Sequence, residues 1–358
     1  MDKYIRLLDF DFYSNQQILQ LISHIDSFKG QWNLVQISEN RYLAELRKIA
    51  TIESIGSSTR IEGATLTDEE IEELLKNIKI QKLDNRDEQE VLGYYDALEI
   101  IIDNYNTINL SVNYVKQLHK ILLKYSNKDE RHRGNYKNLS NKVVANYPTG
   151  EQKTIFNTTS PEFVDIEMSE LIDWVNLQFK NKIIHPLIVI GILIYEFLSI
   201  HPFQDGNGRL SRLVTTLSLL KLNYTFIQYI SFENHIEKNK KKYYEALMSS
   251  QRKRGTKNEK IDKWLIFFLN SLKQLTINLE NKYDLFKTKG GYLNERQKEI
   301  RDFIIKNQPI KMSDLKVNFN NIPQGTLKSD LKYLKHEKIV LMIGKGKGSF
   351  YILNEENA

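Results

Sequence analysis

Hydrophobic residues recur every three or four positions along most of the first 280 residues. Residues 88–104 and 168–179 show this spacing, which predicts two amphipathic helices. Ser111 predicts the start of another helix, because its hydroxyl can cap free backbone N–H groups. Residues 187–200 are apolar on nearly all sides and follow Pro186, which suits the first turn of a helix. We therefore expect a mainly α fold, with residues 187–200 as the central helix of a bundle.

The periodicity changes between residues 131 and 161. Two short β-prone runs, 141–146 and 153–158, flank a turn that contains Pro148 and Gly150. This predicts an irregular β-hairpin, at about 143–158, inside an otherwise helical domain.

The C-terminal segment has a pattern of its own. It comprises a helix capped by Asn294, a short helix at 313–317, a helix at 326–336 and strands at 339–343 and 349–353. Gly344 to Gly348 form a basic, glycine-rich turn between the two strands. This order resembles a winged helix-turn-helix.

Composition shifts suggest four regions. We expect an N-terminal helical region at 1–90, a central domain at 91–255, a connecting helix and linker at 256–289, and the C-terminal domain at 290–358. The run from Lys287 to Gly291 is interpreted as the linker.

Charge and composition narrow the classes of function. The chain has no cysteine, which excludes disulfides, thiolate zinc sites and cysteine nucleophiles. The net charge of +6 lies wholly in residues 281–358, which indicates an anionic partner for that region. The longest apolar run, 187–200, is interrupted by Glu196 and is shorter than the roughly 20 residues of a membrane span. With no signal peptide at the start, we expect a cytoplasmic protein without membrane contact.

The residues best suited to catalysis and phosphate binding lie in one twelve-residue run, from His201 to Arg212. His201 is a candidate general base, and Asp205 supplies a hard oxygen ligand suited to Mg²⁺. Gly206, Asn207 and Gly208 lead into the next helix, whose free N–H groups and dipole favour a phosphate. Arg209 and Arg212 share one helical face and can hold two phosphates of one nucleotide. The run therefore indicates nucleotide phosphate chemistry.

Other sequence signals of catalysis are weak. The chain has no GxxxxGK[ST] loop and no HExxH motif. The remaining histidines, His119 among them, show no metal-binding spacing and are interpreted as structural or surface residues.

The run His-Pro-Phe-x-Asp-Gly-Asn-Gly-Arg-x-x-Arg matches the motif of the Fic (Fido-domain) family at every defined position. The resemblance covers about residues 40–255 and implies a Fic-type helical bundle with a β-hairpin flap. It also implies a protein adenylyltransferase, which moves AMP from ATP to a serine, threonine or tyrosine hydroxyl of a protein. A related phosphate-transferring type places a lysine after the asparagine, so Gly208 favours AMP transfer. The phosphocholine-transferring type of the family remains open, because it follows no motif that this sequence excludes.

The resemblance also implies roles for single residues. His201 would deprotonate the target hydroxyl, and Asp205 would hold Mg²⁺ on the α- and β-phosphates of ATP. The 206–208 backbone and Asn207 would cradle the phosphates, Arg209 would bind the β-phosphate and Arg212 the γ-phosphate. The hairpin at 143–158 would dock the target protein by strand addition. Tyr244 is a candidate for contact with the adenine, although a core tyrosine fits its position equally well.

A second segment, Ser58-Thr59-Arg60-Ile61-Glu62-Gly63, resembles the inhibitory motif of Fic proteins. Glu62 would pair with Arg212 and remove the γ-phosphate clamp, and Gly63 suits the position after a helix end. In some relatives this glutamate instead helps water remove AMP from modified targets. An autoinhibited transferase and a de-AMPylating hydrolase both remain open, with transfer favoured.

A different class of function remains open as well. Lysines of the C-terminal domain, such as Lys328 and Lys332, can meet DNA phosphates, which would make the chain a DNA-binding transcriptional regulator. Domains of this kind also bind proteins. The resemblance further allows a homodimer and AMPylation of the protein by itself.

Overall fold

The computed structural model describes residues 3–38, 40–77, 83, 85–126, 128–146, 152–289, 293–344 and 348–354. The chain divides into two compact units, Met1–Thr276 and Ile277–Ala358. The boundary lies inside a long helix.

Helices make up most of the first unit. In chain order they are α1 (Lys3–Arg6), α2 (Phe12–Ser38), α3 (Asn40–Ile61), α4 (Asp68–Asn77), α5 (Arg86–Asn104), α6 (Val112–Leu122), α7 (Pro161–Asn181), α8 (Pro186–Ile200), α9 (Asn207–Lys221), α10 (Phe232–Lys238), α11 (Lys240–Gln251) and α12 (Asp262–Lys289), with one 3-10 turn at Thr225–Gln228. The expected helix starts are confirmed: the Ser111 side chain accepts a hydrogen bond from the Tyr114 N–H, and Pro186 opens α8.

Helix α8 is the centre of this unit, as its apolar sequence predicts. All but its first and third residues are buried, and it packs against α7 on one side and α9 on the other. Gly191 allows α12 to approach closely, since a Cβ there would press on the Leu265 side chain. The Trp264 indole N–H donates to the Gly191 carbonyl oxygen at 2.8 Å. The first half of α8 is therefore packed tightly against α12, and the candidate site residues directly follow the end of α8.

The predicted irregular hairpin is present. Strands β1 (Lys142–Asn146) and β2 (Gln152–Asn157) pair antiparallel, and the register shifts between Val143 and Val144. Residues 147–151 of the hairpin lie outside the described residues.

The second unit is described by itself. It contains α13 (Glu295–Asn307), β3 (Ile310–Lys311), α14 (Met312–Asn318), α15 (Gln324–His336), β4 (Val340–Ile343) and β5 (Phe350–Leu353). The strands form an antiparallel sheet in the order β3-β5-β4 around a core that includes Leu327, Leu331 and Leu334. Asn294 caps α13, and Gln297 completes a capping box.

The structure adds to the sequence predictions for this region at two points. Helix α12 continues to Lys289, so the predicted linker at 287–291 begins as helix. Lys287, Thr288 and Lys289 contain no helix breaker, and glycines come only after them. The short strand β3 was not expected, because two residues carry no readable alternation.

Within the described residues, every helix is too short or too polar to cross a bilayer.

Close packing of α5 on α6 yields a stability prediction. A Cβ at Gly93 would overlap the Leu122 carbonyl oxygen, so Gly93→Ala must push the two helices apart. We expect the free energy of unfolding to fall by about 1–3 kcal/mol. Urea unfolding followed by tryptophan fluorescence measures this, because Trp32, Trp174 and Trp264 all lie in the first unit.

Gly30→Ala is the matched control. Gly30 lies inside α2, and a Cβ there would meet nothing within 4 Å. That change should stabilise the helix by about 0.5–1 kcal/mol. Equal effects of the two changes would contradict the close packing at Gly93.

Candidate active site

The loop from His201 to Gly206 connects α8 to α9 and has a tightly fixed shape. His201 takes a left-handed backbone conformation with φ 53°, and its N–H donates to the Phe197 carbonyl oxygen at 2.9 Å. The Asn207 side chain accepts from the Phe203 N–H at 2.9 Å and donates to the Phe203 carbonyl oxygen at 2.8 Å. Gly206, with φ 76°, makes the turn into α9. The Asn207 side chain thus shapes the loop, and only its backbone faces the expected phosphate cradle.

His119 supports the same loop from α6. Its Nδ1 accepts from the Gly134 N–H at 3.0 Å, so its Nε2 carries the proton and donates to the Asp205 carbonyl oxygen at 3.1 Å. Its ring stacks on Phe203 at 3.8 Å, and burial lowers the pKa of His119 to about 4. His119 is a structural residue, as its spacing suggested, and its task is to hold the loop.

His201 is neutral at physiological pH. Burial, the largest influence, lowers the pKa of His201 to about 4, and the positive charge of Lys137 acts in the same direction. Its Nδ1 lies 3.4 Å from the Leu198 carbonyl oxygen, which can only accept a hydrogen bond. The proton therefore resides on Nδ1, and Nε2 keeps a free lone pair for a substrate hydroxyl.

The N-terminus of α9 forms an anion cradle. The first hydrogen bond within the helix runs from the Leu210 N–H to the Gly206 carbonyl oxygen, so the N–H groups of residues 207–209 precede it. These groups and the helix dipole attract negative charge. The predicted cradle residues therefore come together at one helix end.

Asp205 lies at the edge of this cradle with its side chain 37% exposed. Its Oδ1 accepts from the Gly206 N–H at 2.6 Å and lies 3.4 Å from the Arg209 NH2. Burial alone would raise the pKa of the Asp205 carboxyl, but Arg209 and the Gly206 N–H hold it below its usual range. Asp205 is therefore ionised, as a metal ligand must be.

The donor set around Asp205 fits a metal ion only together with a ligand. No group of three or more acidic or histidine side chains that would bind a metal occurs among the described residues. Mg²⁺ commonly takes one or two carboxylates plus phosphate oxygens and water, so one ionised carboxylate beside a phosphate cradle suits it.

Arg209 is 1% exposed and is surrounded by carboxylates. Its NH1 lies 2.9 Å from Glu90 Oε2, although this close ion pair is not aligned as a hydrogen bond. Glu90 also accepts from Arg86 Nε at 2.7 Å, and Arg86 NH2 lies 3.9 Å from Asp205 Oδ2. Sequence reasoning missed Glu90 and Arg86, because an Arg–Glu pair four apart on a helix has the pattern of an ordinary surface ion pair.

Arg212 and the predicted inhibitory segment are in direct contact. Arg212 Nε donates to the Ser58 hydroxyl at 2.7 Å, and Arg212 NH2 donates to the Ser58 carbonyl oxygen and to Glu62 Oε1, both at 2.9 Å. Burial, the largest single influence, lowers the pKa of Arg212, but Glu62 together with Tyr94 and Tyr243 holds that pKa above its usual range. A Cβ at Gly208 would overlap the Glu62 carboxylate, which therefore lies against the first turn of α9.

The end of α3 places Glu62 there. The Gly63 N–H donates to the Arg60 carbonyl oxygen and the Ala64 N–H to the Thr59 carbonyl oxygen, which is a Schellman motif with Gly63 at φ 108°. Lys240 Nζ donates to the Ile61 carbonyl oxygen at 2.7 Å. Glu62 is therefore the residue that caps the helix, with its side chain directed at Arg212.

Tyr244 lies near this pair. It is half-buried in α11, and its ring meets the Tyr243 ring edge-on at 5.1 Å. Burial and the charge of Glu62 raise the pKa of Tyr244 to about 12. Its position agrees with a ligand contact, and its packing agrees equally with a core role.

Lys137 links the hairpin to the loop and was not expected from the sequence. It is buried, and its Nζ donates to Asn141 Oδ1 at 2.8 Å, the Thr158 hydroxyl at 2.7 Å and the Ile200 carbonyl oxygen at 3.1 Å. Burial lowers the pKa of Lys137 to about 8. Both ends of the hairpin are thereby tied to the residue before His201.

Comparison with known proteins agrees with this arrangement. Residues 109–219 match the model of the Fic/DOC family. A curated protein of Drosophila willistoni named protein adenylyltransferase Fic is 26% identical over 187 residues, which are 52% of this chain and 35% of that protein. The chain thus spans about a third of that relative's length.

Solved structures show the same fold. A Fic family protein from Desulfovibrio desulfuricans aligns over 95% of this chain and 96% of its own, with a TM-score of 0.62 and 22% identity. A Fic domain containing signaling protein from Bacteroides thetaiotaomicron aligns over 78% of this chain and 99% of its own, with a TM-score of 0.58 and 25% identity. Together with the geometry of the motif, these likenesses support a Fic/DOC domain at residues 109–219 within a chain that shares the fold of the two solved Fic structures.

Proposed function

We propose that this chain is a protein adenylyltransferase that moves AMP from ATP to a hydroxyl side chain of a target protein and is inhibited by its own Glu62. One observation carries the proposal. A neutral histidine adjoins a helix N-terminus beside two buried arginines, and one of these arginines is engaged by the glutamate that follows α3. The name of the Drosophila relative supports the same activity.

The chemistry follows from the positions of these groups. His201 Nε2 accepts the proton of a serine, threonine or tyrosine hydroxyl as its oxygen forms a bond to the α-phosphorus of ATP. The bond from that phosphorus to the bridging oxygen breaks, and pyrophosphate leaves with the electron pair. The N–H groups of residues 207–209 and the Arg209 guanidinium stabilise the charge that develops on the phosphates.

Asp205 would hold Mg²⁺ against the phosphates, where the ion would neutralise part of their charge. Its exposed carboxylate and its lowered pKa support this role. The hairpin formed by β1 and β2 would receive the target by strand addition, because Lys137 fixes its base beside His201.

Glu62 inhibits by occupying the place of a phosphate. Its carboxylate pairs with Arg212 and lies against Gly208, where the γ-phosphate of ATP would otherwise meet the helix end. Two negative groups cannot share that position, so ATP binds productively only when Glu62 moves away.

Transfer of α-labelled AMP from ATP in the presence of Mg²⁺ tests the activity. We expect Glu62→Gly to carry about tenfold or more label than the wild type, since one charge-assisted contact to a phosphate contributes about 1.5–3 kcal/mol. Adding His201→Ala to that variant should lower the rate by about 10²–10⁴-fold through loss of the base. Glu62→Gln is the matched variant, because it keeps the size of the side chain and removes its charge.

The opposite result is equally informative. Label on none of the variants, together with removal of AMP from a modified protein by the wild type, would overturn the transferase and establish the hydrolase. Label that persists after His201→Ala would contradict the role of His201 as base.

The pH dependence of the Glu62→Gly variant gives a second test. Protonation of His201 abolishes the base, so activity is lost as pH falls through the pKa of His201, which is about 4. Glu62 raises that pKa, so removing Glu62 moves the loss to lower pH. We expect kcat/KM to show no loss near pH 6.5, the usual pKa of histidine, in a profile from about pH 5 to 8. A halving of activity near pH 6.5 would contradict a buried, neutral His201.

We also propose that the C-terminal unit is a winged helix-turn-helix that contacts DNA phosphates. Lys328, Lys332 and Lys335 are all exposed and share one face of α15, next to the face formed by its buried leucines. The order of three helices and a three-stranded antiparallel sheet supports the assignment.

DNA binding at several salt concentrations tests this second function. Replacing Lys328, Lys332 and Lys335 by alanine should weaken binding and lower the salt slope by roughly one for each phosphate that the protein no longer neutralises. The control replaces three exposed lysines of the first unit, Lys257, Lys260 and Lys263. Equal weakening in both variants would point to non-specific attraction.

A further inference from the structure

Arg209 is a buried positive charge whose hydrogen bonding is incomplete. It is 1% exposed, and among the described residues its Nε and NH1 donate no hydrogen bond. A buried guanidinium requires a nearby negative charge to remain stable. NH1 faces the Glu90 carboxylate at 2.9 Å without an aligned hydrogen bond, and Nε has no acceptor at all in the part of the chain that the structure describes. A ligand with acceptor oxygens, such as a phosphate, would satisfy the N–H groups that Glu90 leaves free.

Two carboxylates lie close to Arg209, and they differ in exposure. Asp205 Oδ1 is 3.4 Å from Arg209 NH2 and belongs to a side chain that is 37% exposed. Glu90 Oε2 is 2.9 Å from Arg209 NH1 and belongs to a side chain that is 7% exposed. Because Asp205 faces a bound metal in the proposed reaction, Glu90 is the counter-charge that stays with Arg209 throughout.

Glu90 is held in one orientation by two arginines. Its Oε1 accepts from Arg86 Nε at 2.7 Å, while its Oε2 faces Arg209. Rotation of the carboxylate would break one of these interactions. Glu90 lies on α5, before the segment 109–219 that matches the family model.

We propose that Glu90 is a positioning residue, which fixes the buried Arg209 guanidinium so that its free N–H groups face the β-phosphate of the nucleotide. The proposal rests on the proposed function, in which Arg209 binds that phosphate. Without the Glu90 charge, Arg209 turns towards Asp205 and away from the β-phosphate. Binding of a nucleotide that lacks a β-phosphate does not depend on this orientation.

Calorimetry on the full-length Glu62→Gly protein with Mg²⁺ tests whether Glu90 acts through the β-phosphate. It compares the binding of ADP, which has a β-phosphate, with the binding of AMP, which has none. Adding Glu90→Gln should weaken ADP binding by about tenfold and AMP binding by less than about twofold, as expected for one misplaced charge-assisted contact. Glu90→Asp keeps the charge and should recover part of the ADP affinity. Glu259→Gln is the matched control, since Glu259 is also buried and accepts from Tyr195 and Gly255 away from α9.

Each alternative has its own outcome. Equal losses of ADP and AMP affinity, with a lower thermal unfolding midpoint, would show a merely structural role and overturn the proposal. Unchanged ADP affinity in Glu90→Gln would overturn it directly and leave the proposed function intact. If Glu90→Gln does not fold, the ADP-selective loss must appear in Glu90→Asp, or the proposal falls. A parent protein that binds neither nucleotide would overturn both this inference and the proposed function.

Discussion

The buried positive charge at the start of α9 is the constraint on which the rest of the site depends. Arg209 and Arg212 are almost fully buried beside the positive end of a helix dipole, and such charge must be balanced. Three carboxylates of the protein balance it: Glu90, Asp205 and Glu62. Glu90 is buried and shared with Arg86, whereas Asp205 and Glu62 are each about one-third exposed. A ligand can therefore displace the exposed carboxylates of Asp205 and Glu62 from the arginines, whereas the buried carboxylate of Glu90 stays beside Arg209.

Charge alone would not give a reactive geometry without a rigid loop between α8 and α9. Asn207 holds Phe203 from one side, and His119 holds Phe203 and Asp205 from the other. Lys137 ties the base of the hairpin to the carbonyl group that precedes His201. Each of these side chains directs its hydrogen bonds to backbone or to the hairpin, so they fix where His201 and the cradle lie. The same burial that orders the loop keeps His201 neutral, which couples the shape of the site to its acid–base state.

Sequence reasoning could predict the parts of this arrangement that are local in the chain. The caps at Ser111 and Asn294, the apolar helix α8 and the cradle between His201 and Arg212 depend on residues a few positions apart. The pairing of Glu62 with Arg212 was expected only because the motif around Glu62 was recognised. Glu90 and Lys137 were missed. Glu90 contacts Arg209, which lies 119 positions away, and Lys137 contacts Ile200, which lies 63 positions away, and nothing in their own segments marks either residue. The residues that the sequence did not reveal are those whose role depends on tertiary contacts.

The way in which Glu62 leaves Arg212 follows from how α3 is held. Ser57, Ser58 and Thr59 are fully buried, and Arg60 pairs with both Asp68 and Glu237. Moving the whole helix would break these ion pairs and expose its buried face, whereas rotating the Glu62 side chain breaks one ion pair. Because Glu62 follows the last helical residue and is one-third exposed, its side chain has solvent to rotate into. In the proposed autoinhibition, Arg212 would therefore be released by a side-chain movement at the end of a fixed helix, and a competing phosphate at the helix end would supply the charge that drives it.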